Sequence, residues 1–473
     1  MLFSSAEFLF LFLPAVLLLY YLVKPWRAIQ NAVLLVMSLL FYAWGEPKFV
    51  FALIGTILAN WIFGLLVDRF RERKGLAKGI VALTAAADIG FLFVFKYLGF
   101  SAGILNQIFP GMVQVPQIAL PIGISFFIFR EISYVVDVYR GTAGCQKNPA
   151  KLALYVAFFP ELVAGPIVRY TTVEGEIDGR RETWEDFSWG ARRFLEGMCK
   201  KVLISNTMAN VADYAFGLTG TADLTMGLAW LGAVAYTFQI YFDFSGYSDM
   251  AIGLGRMFGF HFLENFDRPY ISRSVTEFWR RWHISMGSWF RDYLYIPLGG
   301  NRVSRGRHLF NMFVVWLATG IWHGANWTFL VWGLFYFVIL AVEKETGLAK
   351  KLGAGKGPKP GRAASAAGHL YTMLFVLLGW VIFRADSLGQ AWQYFAAMYG
   401  ANGVSVGARA WFYLREYAPE LIAGVLVSGT LLQRLGQKKG VRAVYAAALV
   451  LLFLASVAYV VKGSYSPFIY LNF

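Results

Sequence analysis

Leu309-Phe-Asn-Met-Phe-Val-Val-Trp-Leu-Ala-Thr-Gly-Ile-Trp-His-Gly-Ala-Asn-Trp-Thr-Phe-Leu-Val-Trp-Gly333, continued by apolar residues to Val342, decides how this chain is read. The run is hydrophobic enough for a membrane, yet it carries one ionisable group, His323. A titratable side chain in such surroundings costs a few kcal/mol of desolvation unless it is partnered or faces a water-filled cavity, so it marks a functional site. The competing reading is a hydrogen-bonded core histidine with no chemistry. The 34 residues from 309 to 342 suffice for two helical arms of roughly 20 to 25 Å joined by a tight turn. Gly320, Gly324 and Asn326 place that turn beside His323. Arg302, Arg305 and Arg307 precede the run and a basic loop follows it, so both ends are expected on the same, cytosolic side.

Working outward, the composition agrees: 58% of the 473 residues are hydrophobic, 18% aromatic and only 15% charged, too apolar for a soluble globule. The net charge of +15 raises the question of nucleic acid. The Lys and Arg residues instead fall in short clusters between apolar runs, the pattern that orients membrane proteins, so no nucleic-acid partner is expected. Cys145 and Cys199 lack metal-ligand spacing, and neither a disulfide nor a metal site follows from them.

The fold expected is therefore all-α: a polytopic integral membrane protein of roughly 9–12 transmembrane helices, with re-entrant and interfacial helices around a central cavity. One domain covers 1–473, with amino-terminal spans over 1–120, a catalytic core over 121–343 and carboxy-terminal spans over 344–473. Spans are predicted at Phe8–Val23, Ile29–Trp44, Phe49–Val67, Gly79–Phe100, Leu224–Tyr241, His369–Phe383, about Leu421–Leu432, and Ala443–Val461. The first run has no basic residues before it and no small-residue cleavage site after it, so it reads as a retained span. The loop 68–78 holds five basic residues against two acidic, whereas 101–120 holds no charge. The loop 343–368 has six basic and two acidic residues, and the turn 433–442 four basic and none acidic. The positive-inside bias then puts both termini outside a multi-pass bacterial inner-membrane protein.

The middle mixes apolar runs with charges and prolines. Pro121–Arg140 and the Tyr155–Ile167 stretch read as broken or re-entrant elements, which survive at membrane depth only where protein or a cavity surrounds them. After Tyr241 come Asp243, Ser245, Ser248 and Asp249 among aromatics. Ser248 and Asp249 read either as caps at a helix end or as cavity-lining residues. From Arg268 to Arg307 the chain is dense in Trp, Tyr and Arg without a long apolar run, as in helices lying along a membrane interface.

The longest unusual strings are Asn265-Phe-Asp-Arg-Pro-Tyr270, Thr276-Glu-Phe-Trp-Arg-Arg-Trp-His-Ile-Ser285, Asp292-Tyr-Leu-Tyr-Ile-Pro-Leu-Gly-Gly-Asn-Arg302 and Trp322-His-Gly-Ala-Asn-Trp327. In this order they resemble the membrane-bound O-acyltransferase family, within it the bacterial branch with the alginate O-acetylation and teichoic-acid D-alanylation membrane proteins. The resemblance implies a small acyl group, acetyl in the first instance, taken from a cytosolic thioester and passed across the membrane. The acceptor it implies is an extracytoplasmic polysaccharide or a soluble acetyltransferase partner. It implies His323 as the catalytic residue and His283 as a second one near the same cavity.

That chemistry is compatible with the residues. Transfer from a thioester to a hydroxyl needs a general base, a donor for the developing oxyanion and exclusion of water. Histidine, with an ordinary pKa of about 6.5, suits the first role. Asn326 and the Trp327 indole are candidate oxyanion donors or cavity-lining groups. His283 also reads as an interfacial histidine shielded by Trp279 and Trp282; His261, His308 and His369 read as structural. Arg280 and Arg281 are candidates for the donor's phosphates, or else for anionic lipid headgroups. No cofactor is expected beyond the donor itself, acetyl-coenzyme A or an acyl carrier protein. No nucleophile elbow, zinc-protease string or phosphate-binding loop occurs. The rival readings are a transporter or flippase with His323 as a proton relay, and a non-catalytic membrane scaffold.

Overall fold

A computed structural model describes residues 1–116, 118–352, 361–430, 439–463 and 469. Parts of the two basic segments read as cytosolic loops, 353–360 and 431–438, lie outside the described residues. The described residues form helices and turns without strands, and the chain is all-α as expected. They gather into two compact units: 1–197 with 247–263, and 198–246 with the described residues of 264–469.

The first unit opens with a π-turn at Phe8–Phe12 running into α1 (Leu13–Leu22), then α2 (Arg27–Gly45), α3 (Phe49–Arg69), α4 (Lys74–Lys96) and α5 (Leu98–Ile108). It continues with α6 (Ile124–Arg140), α7 (Pro149–Ala157), α8 (Phe159–Leu162), α9 (Tyr170–Gly179) and α10 (Trp184–Cys199). Helices α2, α3 and α4 are long and apolar enough to cross a membrane, and large apolar side chains such as Leu40, Phe51 and Leu83 stand exposed on them. Those outer faces suit lipid, while the inner faces of α3 and α4 bury polar residues against α6.

Two expectations change here. Pro121–Arg140 does not form a broken element: α6 is a regular 17-residue helix between left-handed Gly123 (φ 74°) and Gly141 (φ 74°). Its charges do not break it because they are buried against partners inside the unit; Arg130, for example, meets Glu161 at 3.3 Å. The span drawn at Gly79–Phe100 instead starts at Lys74 and ends at Lys96, and the chain turns at Tyr97 into α5. The second stretch is broken as expected. Residues 155–168 are buried, α8 lasts four residues, and irregular backbone follows at Val163–Arg169. A Cβ on Gly165 would lie 2.5 Å from Glu161 Cα, which only glycine permits.

In the second unit a π-turn at Lys200–Ser205 leads into α11 (Asn206–Gly217) and α12 (Met226–Met257), whose residues from Tyr247 onward belong to the first unit. Helix α12 runs for 32 residues, so it does not end near Tyr241, and the capping reading of Ser248 and Asp249 is withdrawn. Its acids are neutralised in place: Asp243 meets Lys201 at 2.6 Å, both buried, and Asp249 meets Arg193 at 2.7 Å. A paired carboxylate gives the helix no reason to stop.

The rest of the unit comprises α13 (Val275–Arg281), α14 (Ile284–Phe290), α15 (Arg305–His323), α16 (Trp327–Thr346), α17 (Leu348–Lys351), α18 (Arg362–Arg384), α19 (Leu388–Met398), α20 (Ala408–Glu416), α21 (Ala418–Ser428) and α22 (Arg442–Val461). Helices α16, α18 and α22 are long and apolar enough to span, making six such helices among the described residues. Residues 268–304 hold only short helices, two of them seven residues long, before α15 begins at Arg305.

Helices α15 and α16 form the expected hairpin, with arms of 19 and 20 residues, longer than the sequence suggested. At about 1.5 Å per residue each arm reaches roughly 28 to 30 Å. Glycines let the arms touch. A Cβ on Gly320 would lie 2.5 Å from the carbonyl oxygen of Phe329, and one on Gly333 would lie 2.5 Å from that of Trp316.

Candidate active site

His323 is the last residue of α15, 3% exposed, and the backbone reverses through Gly324, Ala325 and Asn326 before α16 begins. Aromatic rings enclose it. Its imidazole centroid lies 4.9 Å from Trp332, 5.0 Å from Phe383 and 5.0 Å from Trp322, each near edge-to-face. Phe383 is supplied by α18 and Trp332 by the second turn of α16. Trp332 also packs against Trp279 of α13 at 5.5 Å and Tyr336 at 5.2 Å. The Nε1–H groups of Trp279 and Trp332 are buried and have no hydrogen-bond partner in the structure. Buried indole N–H groups normally find an acceptor, so these two are donors available to a ligand's oxygen.

The α13 segment is locked in place from α16. Glu343 accepts from Val275 N at 2.7 Å, Thr276 N at 2.8 Å and Thr276 Oγ1 at 2.6 Å, filling the helix N-terminus with a carboxylate. Ser274 adds its side-chain cap to Glu277 N at 3.0 Å. These bonds fix where Trp279 stands.

His283 is fully buried and adopts a left-handed backbone (φ 46°, ψ 54°) at the start of α14. Asn265 holds this turn. Its Oδ1 sits 3.1 Å from His283 Nδ1 and accepts from Ser285 Oγ at 2.8 Å and Ser285 N at 3.2 Å, while its carbonyl accepts from Ile284 N at 2.9 Å. The His283 ring packs on Phe244 at 4.6 Å and Trp322 at 6.0 Å. Trp322 therefore touches both histidines.

Burial pushes the His283 imidazole from its ordinary value near 6.5 down to about 3, so it is neutral at physiological pH. The unfolded chain takes up this proton below about 6.5 and the folded chain only near 3. The stability contributed by a neutral His283 is therefore present above that window and lost as pH falls through it. Thermal unfolding followed from neutral to acidic pH should show a steeper loss for the native protein than for His283→Gln; parallel curves would contradict the burial argument.

The other predicted site residues have these places. Asn326 caps α16, accepting from Thr328 N at 3.2 Å, and donates to the Asp386 carbonyl at 2.9 Å, while Trp327 is 48% exposed. Asp249 and Ser248 are buried in the first unit, Asp249 engaged by Arg193. Arg281 is held by Asp267 at 2.9 Å and Glu277 at 3.0 Å, and Arg280 is exposed. His261 pairs with Glu176 at 2.7 Å and His369 meets the Ser272 carbonyl at 3.2 Å. Sequence reasoning did not single out Asn265 or Trp332. Asn265 opens a string that carried the resemblance, and Trp332 lies nine residues beyond His323. No group of three or more His, Cys, Asp or Glu residues suited to a metal occurs among the described residues.

Residues 146–349, which include α13 to α16, match the family model of MBOAT, the membrane-bound O-acyltransferase family. The chain is 41% identical, over all of both chains, to a Pseudomonas putida protein named as a probable alginate O-acetylase, AlgI. It is also 33% identical to the peptidoglycan O-acetyltransferase of Helicobacter pylori, across 86% of this chain and 81% of the relative. The chain belongs to the membrane-bound O-acyltransferase family. It is a multi-pass membrane enzyme that transfers acyl groups to oxygen. More distantly, it is 27% identical to the teichoic acid D-alanyltransferase of Streptococcus thermophilus over 55% of this chain and 68% of that one.

Proposed function

We propose that this acyltransferase moves an acetyl group from a cytosolic thioester, carried by coenzyme A or an acyl carrier protein, to hydroxyls of an extracytoplasmic polysaccharide, alginate first and peptidoglycan glycans second. The acceptors are those for which the two more similar relatives are named, and in this reading the protein sits in a bacterial inner membrane with both termini outside. A soluble extracytoplasmic acetyltransferase is a further acceptor in the same scheme. The observation that carries the mechanism is the buried His323 at the reversal of the α15–α16 hairpin, ringed by Trp332, Phe383 and Trp322.

His323 takes the hydroxyl proton as the acceptor oxygen attacks the thioester carbonyl, and returns it to the departing thiolate. The negative charge that builds on the carbonyl oxygen is met by an N–H donor, and the Trp332 indole is that donor because its N–H is buried beside His323 and unsatisfied. The aromatic ring wall keeps water from competing with the acceptor for the thioester. His283, neutral and fixed by Asn265, positions Trp322 behind His323.

Trp332→Phe keeps an aromatic ring beside His323 and removes the donor, so acyl transfer is expected to fall about a hundredfold with the fold retained. An unchanged rate in the folded variant would take Trp332 out of the mechanism. The acceptor is tested by offering purified enzyme acetyl-coenzyme A with alginate oligosaccharides or peptidoglycan fragments and weighing the products. Ester formation on alginate supports the first assignment, on peptidoglycan the second, and on neither with either donor contradicts both.

A further inference from the structure

The first unit buries a second polar cluster that acyl transfer does not use. It joins Thr56 and Asn60 of α3, Asp88 of α4 and Glu131 of α6, residues between 0% and 9% exposed. The Asn60 Nδ2 amide donates to Asp88 Oδ1 at 3.0 Å, to the Thr56 carbonyl at 3.1 Å and to Glu131 Oε2 at 3.3 Å. The Thr56 hydroxyl is shared between the Leu53 carbonyl at 3.0 Å and Glu131 Oε1 at 3.0 Å.

Counting hydrogens shows what is missing. Asn60 supplies two and Thr56 one, while the two carboxyl groups and the Asn60 amide present five oxygens. The shortfall falls on particular atoms: Asp88 Oδ2 and Asn60 Oδ1 are buried and have no hydrogen-bond partner. A carboxyl and a primary amide joined through one N–H···O bond leave two oxygens on the opposite edge, both acceptors. One hydrogen on the carboxyl oxygen supplies the absent donor, as in a carboxylic acid–amide pair.

The surrounding charges do not replace it. On α6, Arg130 is the cation whose field reaches Glu131, and it holds Glu161 of α8 at 3.3 Å. On α4, Lys96 donates to Ser125 at 3.2 Å, and on α7, Lys151 pairs with Asp178 at 2.6 Å. On α2, Arg27 is paired with Glu182, and α5 carries no charged residue. Two ionised carboxylates would therefore share one amide inside an apolar helix seam, a costly arrangement.

We propose that Asp88, Asn60 and Glu131 form a proton-binding site inside the membrane part of the first unit, with the proton on Asp88 Oδ2 donated toward Asn60. The site ties α3, α4 and α6 together only while the proton is present. When it leaves, a negative charge enters the apolar seam on an oxygen facing the Asn60 carbonyl oxygen, and the helices lose their tie at that point. The first unit thus has a built-in sensitivity to alkaline conditions, separate from the chemistry at His323.

Asp88→Asn tests this on the full-length protein, because an amide reproduces the donor and acceptor pattern of the acid and cannot ionise. With heavy carbon at aspartate carboxyl groups, infrared spectra of wild type at neutral pH should show a protonated-acid carbonyl band absent from Asp88→Asn. The variant should retain acyl transfer and the neutral-pH melting temperature, and should lose less of that temperature than wild type under alkaline conditions. Only carboxylate bands at Asp88, or a variant that cannot fold, would overturn the proposal. Stabilisation of wild type but not of the variant by sodium or potassium ions would also overturn it, by assigning the two oxygens to a metal cation.

Discussion

Replacing His323 by alanine is expected to reduce acyl transfer by about a hundredfold to ten-thousandfold, the range in which positioned general acid–base groups act. The change should appear in turnover, since the base works on the hydroxyl proton while the transition state forms and contributes little to holding either substrate. The fold should survive. The imidazole is packed by rings from Trp332, Phe383 and Trp322, and truncating it leaves a cavity costing about 2 to 4 kcal/mol, within what a protein of this size tolerates. Turnover measured in detergent, alongside a thermal unfolding curve, separates the two effects. A folded His323→Ala protein with native turnover would return the histidine to the role of a core residue.

Gly320→Val should have the largest structural effect. A Cβ there meets the Phe329 carbonyl oxygen at 2.5 Å, backbone that cannot rotate away, and Gly333 stands in the reciprocal position against Trp316. Separating the arms would carry His323 on α15 away from Trp332 on α16. The expected loss is about 3 kcal/mol or more of stability, with acyl transfer lost even in molecules that still fold. Gly320→Ala should show a milder form of both. The measurement is the melting temperature with the acyl-transfer rate of the same preparation; a native-like Gly320→Val enzyme would mean that the arms need not touch.

Much of this architecture was legible because lipid imposes simple rules on sequence. Apolar length gave α2, α3, α16, α18 and α22, and the glycines around His323 gave the hairpin turn. What misled was charge. Arg130, Glu131 and Asp137 made α6 look broken, and Asp243 and Asp249 made α12 look finished. Their partners, among them Lys201, Arg193, Glu161 and Asn60, lie between 31 and 71 positions away in the chain, and no local pattern announces them. The site divided in the same way. His323 stood out as the lone ionisable group in its run, whereas Trp332 is one tryptophan among sixteen until its neighbours are known. Asn326 attracted attention as a donor next to the histidine, and the structure uses it to cap α16 and hold the Asp386 carbonyl.

The central claim is that this enzyme passes an acyl group through the membrane by way of His323. Sealed vesicles bearing the protein, loaded with labelled acetyl-coenzyme A and bathed in alginate oligosaccharide, test it most directly. Alkali-labile label should accumulate on the external sugar with wild type and be nearly absent with folded His323→Ala. Equal labelling by both proteins would contradict the account.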